Sequence, residues 1–288
     1  MDPRGLKTLL AVPNFSEGRD PVIIDAIATA FGTGVLDVQA DPDHHRSVFT
    51  VAGRPGELAD RVLAAARVGL ERIDLRHHDG VHPRVGALDV APIVHLDDRA
   101  RGAAGAEALV LGDLLSSELG LPVFLYGALA GGRPRAELRR GGPQELARRM
   151  ASGELQPDFG RRALEPRHGA VLVGARPPLI AFNLELAPPA GLAEARAIAA
   201  AIRESGSQGL AGVRAIGLWL EHAGRAQVST NVEDPRAAPL AAVVAAVRRH
   251  AEVAATELVG LAPRAAFDGF PPELEVRGRR TIEAMLGD

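Results

Sequence analysis

The order of strand and helix patterns, which occurs twice along the chain, constrains the fold more than any other feature. Residues 35–41, VLDVQAD, alternate apolar and polar side chains, which is typical of a strand with one buried face. Residues 21–31 begin with Pro21 and place Ile24, Ile27 and Phe31 on one face, which predicts a helix. The first part of the chain is predicted as strand 7–13, helix 21–31, strand 34–41, strand 46–52, helix 55–72 and strand 86–95. The last part is predicted as strand 179–186, helix 190–204, strand 213–221, strand 225–232, helix 238–255 and strand 257–261.

Both halves therefore read βαββαβ, the order of the split βαβ unit in ferredoxin-like folds. We predict an α+β protein made of two ferredoxin-like subdomains, residues 1–176 and 177–288, with the boundary at GARPP. A further helix near 103–119 and a strand at 121–127 lie between the two copies.

In such a unit the helices cover one face of the sheet, and the other face stays open unless something covers it. Eight polar side chains fall on the strand faces that do not read as core: Asp37, Gln39, Asp41, Asn183, Glu185, Gln227, Ser229 and Asn231. Simple solvent exposure explains any one of these strands. A set of three strands rich in Asn, Gln, Ser and acids favours a ligand cleft or tunnel between the two sheets, or a subunit contact.

Composition excludes several classes of function. The 288 residues carry a net charge of −3 and are 47% hydrophobic, so a packed core is expected and nucleic-acid or anionic-membrane binding is not. The absence of cysteine excludes disulfides, thiolate nucleophiles and cysteine-based zinc sites. The first residues contain only the short apolar run LLAV, so we expect neither a signal peptide nor a membrane span, and a cytoplasmic location.

Histidines concentrate in DPDHHRS (41–47) and RHHDGVHPR (76–84), which leaves three interpretations open. The first is a metal site of a hydrolase, although neither HExxH nor another recognised zinc spacing is present. The second is acid–base catalysis by His82, whose imidazole takes and returns a proton near neutral pH. Pro83 makes this segment a rigid turn and places Arg84 beside it, which suits an anionic substrate. The third is an ordinary surface turn.

Eight collinear segments resemble one family: VPNFSEGRD (12–20), DPDHHRSVFT (41–50), HHDGVHPRVGALDVAP (77–92), VFLYG (123–127), PDFG (157–160), GARPPLIAFNLEL (174–186), AIGLWLE (215–221) and AQVSTN (226–231). From about Leu9 to Pro263 the chain resembles the formiminotransferase domain of the formiminotransferase-cyclodeaminase family. The resemblance implies two α/β subdomains around a substrate tunnel and a homodimer. It implies transfer of the formimino group from N-formimino-L-glutamate to N5 of tetrahydrofolate in histidine degradation. Tetrahydrofolate is then a co-substrate, no metal is expected, and a separate cyclodeaminase is expected to act on the product.

The resemblance places the catalytic histidine at His82. It places folate binding on ten consecutive residues: Gly160, Arg161, Arg162, Ala163, Leu164, Glu165, Pro166, Arg167, His168 and Gly169. Because both substrates carry carboxylates, arginine side chains are their natural partners. Eight residues are predicted to bind substrate: Asn14, Asp41, Arg46, Arg84, Asn183, Gln227, Ser229 and Asn231.

The sequence departs from the family pattern at several of these places. Val81 and Gln39 stand where animal members carry acidic residues, so an acid that orients His82 would come from Asp41 or Asp79, or be absent. His45 replaces an asparagine, and His168 replaces a tryptophan that offers a stacking surface. These differences favour an alternative, a catalytically altered relative that binds folate or a glutamyl ligand.

Overall fold

The computed structural model describes residues 8–80 and 83–287. The chain forms two compact units, Met1–Pro177 and Pro178–Asp288, each with its own hydrophobic core. Each unit contains both helices and a β-sheet, which confirms the mixed α+β class.

The first unit contains these strands: β1 (Leu9–Ala11), β2 (Asn14–Phe15), β3 (Val35–Asp41), β4 (Arg46–Gly53), β5 (Leu88–His95), β6 (Val123–Leu125) and β7 (Val171–Arg176). Its α-helices are α1 (Pro21–Ala30), α2 (Leu58–Arg72), α3 (Arg101–Leu119), α4 (Arg135–Arg139) and α5 (Gly142–Ala151). The second unit contains strands β8 (Ile180–Leu186), β9 (Val213–Leu220), β10 (Arg225–Val232), β11 (Val253–Val259) and β12 (Val276–Arg277). Its α-helices are α6 (Leu192–Ile202), α7 (Leu240–Arg248) and α8 (Ile282–Leu286).

The sheet of the first unit combines antiparallel and parallel pairing. Strands β1 and β2 both lie between β4 and β5, β3 pairs with the outer edge of β4, and these pairs are antiparallel. On the other side β5, β7 and β6 are parallel. Helices α1, α2 and α3 pack on one face, where Val171 and Val173 join their core. Leu172 faces the opposite side and packs with α4 and α5, so β7 is buried on both faces.

The sheet of the second unit has the order β12-β11-β8-β10-β9. All pairs are antiparallel except β11 with β12. Phe182, Leu184 and Leu186 are buried in the core with α6 and α7, which confirms the alternation predicted for this strand. The hairpin predicted near Gly224 is also confirmed, because Leu220 pairs with Arg225 and Gly224 has a φ of 59°.

Several predicted elements differ from the observed ones. The strand predicted at 7–13 is shorter than expected, Leu9–Ala11, and a second short strand, Asn14–Phe15, begins after Pro13, which has no amide hydrogen to donate. The predicted helix 238–255 ends at Arg248, and β11 takes up residues previously divided between that helix and the strand predicted at 257–261. Strand β7 was not predicted as an element. A register irregularity in β3 lies between Val35 and Asp37. Ala40, which the alternation placed with the core, is exposed near the end of this strand.

Candidate active site

Three of the sequence motifs meet at one place in the first unit. They are the turn after β2 (17–20), the connection between β3 and β4 (41–46), and the segment that leads into β5 (78–86). The amide of Gly18 donates to Nδ1 of His45 at 3.1 Å, and a Cβ at Gly18 would lie 2.3 Å from the carbonyl oxygen of Asp41. Glycine is therefore required at position 18, because the two segments approach backbone to backbone.

The turn after β2 is held by two carboxylates. Glu17 Oε1 accepts the amides of Arg19 and Asp20 at 2.7 and 3.0 Å. Asp20 in turn caps α1 by accepting the amide of Val22 at 2.8 Å. The VPNFSEGRD motif thus forms a strand, a tight turn and a helix cap in succession.

Asp41 organises the connection between β3 and β4. Its Oδ1 accepts the amides of Asp43 and His44, both at 2.9 Å, and its Oδ2 lies 3.2 Å from Nδ1 of the fully buried His44. His45 follows in the left-handed region with a φ of 50°. Histidine adopts this conformation more often than most residues other than glycine, as asparagine and aspartate do.

The rings of His45 and His78 are stacked, with centroids 4.2 Å apart and an interplanar angle of 18°. His78 Nε2 lies 2.8 Å from the carbonyl oxygen of His45, and the amide of Gly80 donates to His78 Nδ1 at 3.2 Å. Only the neutral ring with its hydrogen on Nε2 satisfies both bonds. Burial lowers the pKa of His78 to about 4, and the nearby charge of Arg84 acts in the same direction.

Burial also lowers the pKa of His45. The Glu17 carboxylate, whose Oε1 is 3.6 Å from His45 Nδ1, opposes this shift, and the cation of Arg19 reinforces it. Asp79 is exposed and pairs with Arg19 at 2.6 Å. Both imidazoles are therefore neutral near pH 7, since burial outweighs the nearby carboxylates.

Arg84, predicted to bind a substrate carboxylate, contacts backbone instead. Its two terminal nitrogens donate to the carbonyl oxygens of His78 at 2.6 Å and Gly80 at 3.0 Å. The next residue is fixed as well, because the amide of Val85 donates to Asp89 Oδ1 at 2.6 Å. Asp89 is buried and forms an ion pair with Arg139.

The predicted catalytic residue His82 and its neighbour Val81 lie outside the described residues. Among the predicted substrate-binding residues of this unit, Asn14 is on β2 and donates from Nδ2 to the carbonyl of Val12 at 3.1 Å. Arg46 is the first residue of β4 and pairs in register with Asp41. Together with Arg84, these residues come from three different segments of the unit.

The predicted folate-binding residues 160–169 form a loop before β7. The carbonyl of His168 accepts the amide of Ala87 at 2.9 Å, and Gly169 bridges to Gly86. The His168 ring contacts the carbonyl of Leu70 through Nε2 at 3.0 Å, and its Nδ1 lies 3.1 Å from Glu165 Oε2. This end of the loop therefore lies directly beside the segment that follows Arg84.

The predicted substrate-binding residues of the second unit share the sheet face opposite its core. Asn183 and Gln227 are each 1% exposed, and Ser229 pairs in register with Asn183. Asn183 donates to Glu257 at 3.0 Å, and its own side-chain oxygen has no hydrogen-bond partner in the described structure. Neither amide atom of Gln227 has a partner there either. Asn231 lies further along the same face of β10.

Other features extend or limit these interpretations. Residues 8–80 and 83–287 contain no group of three or more His, Asp or Glu side chains placed to hold a metal ion. Within the same ranges no helix is long and apolar enough to span a bilayer.

Sequence reasoning did not identify the Asp89–Arg139 pair. Asp89 ends the HPRVGALD motif, which was its only signal, and nothing in the sequence indicated Arg139.

The fold and these loops define a two-unit α+β protein with a histidine-rich site on its first unit. The sequence pattern described as "Formiminotransferase domain, N-terminal subdomain" matches residues 8–176, and the one described as "Formiminotransferase domain" matches residues 181–268. The chain belongs to the formiminotransferase family, which confirms the resemblance noted in the sequence.

Individual relatives agree with this assignment. The chain is 40% identical over 278 residues to a formimidoyltransferase-cyclodeaminase of Gallus gallus, covering 91% of this chain and 51% of the relative. It is 34% identical to a glutamate formimidoyltransferase of Streptococcus pyogenes, covering 91% of both chains. It is 35% identical to a glutamate formimidoyltransferase of Thermoplasma acidophilum, covering 89% of this chain and 88% of the relative. The chain thus spans about half the length of the animal relatives it matches.

Proposed function

We propose that this protein is a glutamate formimidoyltransferase that moves the formimino group from N-formimino-L-glutamate to N5 of tetrahydrofolate in histidine degradation. The observation that carries the proposal is the similarity to bacterial and archaeal proteins of that name, which extends over about nine-tenths of each chain. The convergence of three family motifs around His45 and His78 supports it. Tetrahydrofolate is then a co-substrate, and the chemistry proposed here calls on no metal.

The reaction needs one new bond, one broken bond and one proton transfer. N5 of the folate attacks the amidine carbon and forms the N5–C bond. The tetrahedral intermediate then expels the glutamate nitrogen, while the proton lost from N5 is returned to that leaving nitrogen. We assign this transfer to His82, since an imidazole can act as base and then as acid, and such catalysis contributes roughly 10²–10⁴-fold. No covalent enzyme adduct is required.

Both acids proposed to orient His82 already have other partners. Asp41 is already bonded to two amides of its own turn, and Asp79 forms the ion pair with Arg19. We propose Asp41 as the better candidate, because its Oδ2 belongs to a partly buried carboxylate that also faces His44.

We propose that residues 160–169 bind the folate. Support comes from the backbone contacts of His168 and Gly169, which bring this loop beside Gly86 and Ala87, a few residues after His82. Arg161 and Arg162 are exposed in the same loop and suit an anionic substrate. Both nitrogens of the His168 ring have close partners, so its role is to hold the loop.

The polar sheet face of the second unit is proposed as a further substrate-binding surface. A buried amide without a partner carries a free-energy cost of about 1–3 kcal/mol, so a polar group must satisfy Gln227. A ligand with both donors and acceptors fits Gln227, and the free oxygen of Asn183 accepts a further donor. The ring of a pterin and the carboxylate end of a glutamyl group both present such atoms. Ser229 and Asn231 extend the same surface.

We further propose that each unit is a ferredoxin-like βαββαβ fold and that the chain is a duplication with a substrate cleft. The strand orders support this, because β5-β1-β4-β3 and β11-β8-β10-β9 follow the same antiparallel arrangement. A cytoplasmic location and a homodimer complete the proposal.

A coupled assay tests the function. Purified protein is mixed with N-formimino-L-glutamate and tetrahydrofolate, and glutamate release is followed. We expect glutamate release that depends on both substrates and falls by at least a hundredfold in His82→Ala. Folate binding without glutamate release would instead identify a binding protein of the same fold. Full turnover by His82→Ala would show that another group moves the proton.

A further inference from the structure

We propose that His78 and Arg84 are positioning residues, which fix the backbone on both sides of His82 by closing the 78–84 segment on itself and on His45. The inference rests on the proposed transfer reaction and on the assignment of His82 as its acid–base group. Neither residue need touch a substrate for this role.

The first anchor is the guanidinium of Arg84. It donates to the carbonyl oxygens of His78 and Gly80, so a residue after position 82 is bonded to residues before it. Pro83 adds a fixed φ next to Arg84. Arg84 therefore ties the described residues after position 82 to the described residues before position 81.

The second anchor joins this segment to another part of the unit. His78 is stacked on His45 and bonded to its carbonyl oxygen, while the amide of Gly80 is bonded to His78. His45 is itself bonded to Gly18. A displacement of the 78–84 segment would thus break contacts with two other motifs.

The contacts of Arg84 favour positioning over carboxylate binding. Both terminal nitrogens are directed at backbone oxygens of its own loop, and its Nε is buried without a partner in the described structure. The carboxylate of Asp79, in the same loop, pairs with Arg19 instead. An arginine that binds a substrate carboxylate would instead keep its terminal nitrogens accessible to solvent.

Steady-state kinetics of formimino transfer in matched variants tests the proposal. Arg84→Lys keeps the positive charge but replaces the two terminal nitrogens that reach the two carbonyls with one ammonium nitrogen on a flexible chain. His78→Phe keeps a stacking ring but loses both hydrogen bonds. Arg76→Lys and His77→Ala are controls in the same stretch, where Arg76 pairs only with Asp74 and His77 is exposed. We expect kcat to fall at least tenfold in the two test variants, because misplacement by 1 Å costs as much as about a hundredfold. The KM values for both substrates should stay within about twofold, and the controls should match wild type.

Two kinetic results would overturn the inference. A rise in KM for formiminoglutamate with unchanged kcat in Arg84→Lys would make Arg84 a substrate-binding residue. Wild-type kinetics in both test variants would show that the segment does not depend on these anchors.

A second readout does not depend on turnover. NMR titration of the histidine rings should show His78 neutral with its hydrogen on Nε2 at pH 6 in the wild type and in Arg76→Lys. In Arg84→Lys the loosened loop should let water reach the ring, and the pKa of His78 should rise toward its ordinary value of about 6.5. An unchanged titration would contradict the anchoring role of Arg84. If wild type fails to transfer the formimino group, the proposed function fails while this measurement still decides whether the anchors exist.

Discussion

Replacement of Glu107 by alanine is predicted to destabilise the first unit strongly, although Glu107 lies far from the histidine motifs in sequence. Glu107 belongs to α3 and is 5% exposed. Its carboxylate accepts the amides of Gly56 and, at 2.7 Å, of Ala59 at the start of α2. The residue at the N-cap of α2, Glu57, makes no side-chain capping bond, so a neighbouring helix supplies the cap.

The magnitude follows from the groups left behind. Glu107→Ala leaves two amides without their acceptor, and each hydrogen bond to a charged group contributes about 1.5–3 kcal/mol. It also removes a negative charge from a helix N-terminus, which contributes up to about 2 kcal/mol when partly buried. These contributions overlap, and the desolvation of the carboxylate offsets part of them. We therefore expect a loss of about 3 kcal/mol, equivalent to a decrease in Tm of about 6–12 °C for a unit of this size.

Scanning calorimetry of three variants provides the test. Glu118→Ala is the matched control, since Glu118 lies on the same helix, is about half exposed and has only Arg67 as a partner at 3.5 Å. Such exposed pairs contribute at most about 1 kcal/mol. Glu107→Gln should lie between the two, because it keeps one oxygen but not the charge. A decrease in Tm for Glu107→Ala no larger than that for Glu118→Ala would refute the capping role.

Three further predictions concern the site. Gly80→Ala should lower kcat at least tenfold in the transfer assay, because its Cβ would lie 2.4 Å from the carbonyl oxygen of His44. Gly102→Ala is the control, since its Cβ would have no atom within 4 Å. It should keep wild-type activity and raise the Tm slightly in calorimetry. Because the pKa of His78 is lowered to about 4 in the folded state, its contribution to the free energy of unfolding is complete above about pH 6.5 and is lost as the pH falls toward 4. Urea titrations should therefore show that the free energy of unfolding decreases less between pH 7 and pH 5 in His78→Phe than in wild type. Asp89→Asn should destabilise the protein by about 3 kcal/mol in the same titration, since it leaves the partly buried Arg139 without its counter-charge, and a loss below about 1 kcal/mol would contradict this.

The order of elements was largely predictable because it depends on local patterns. The alternation of Phe182, Asn183, Leu184 and Glu185 in β8 indicates which face of the strand joins the hydrophobic core, without any knowledge of its neighbours. Strand β7 was missed because its VLVGAR segment is buried on both sides and shows no alternation. The end of α7 was also misplaced, since alanine suits both the helix and the strand that follows.

The candidate site was only partly predictable. The histidine clusters at 41–47 and 76–84 were visible in the sequence, but their contact was not, because His45 and His78 are 33 residues apart. The contacts of Arg84 with the carbonyl oxygens of His78 and Gly80 were not predictable, since the presence of an arginine does not show whether a carboxylate or a carbonyl lies within its reach. The unpaired amide of Gln227 likewise became visible only when the partners of every buried atom were known.

The sequence by itself determined the mixed α/β character, the family and the residue types that can move a proton or bind an anion. These properties depend on periodicity and on motifs that lie within a few residues of one another. The tertiary structure alone decided that His78 is stacked on His45, that Arg84 closes its own loop and that Glu107 caps a different helix. Two of these contacts join segments that are distant in the sequence, and all three depend on hydrogen bonds that require a distance of about 3 Å, which no pattern of residue types specifies.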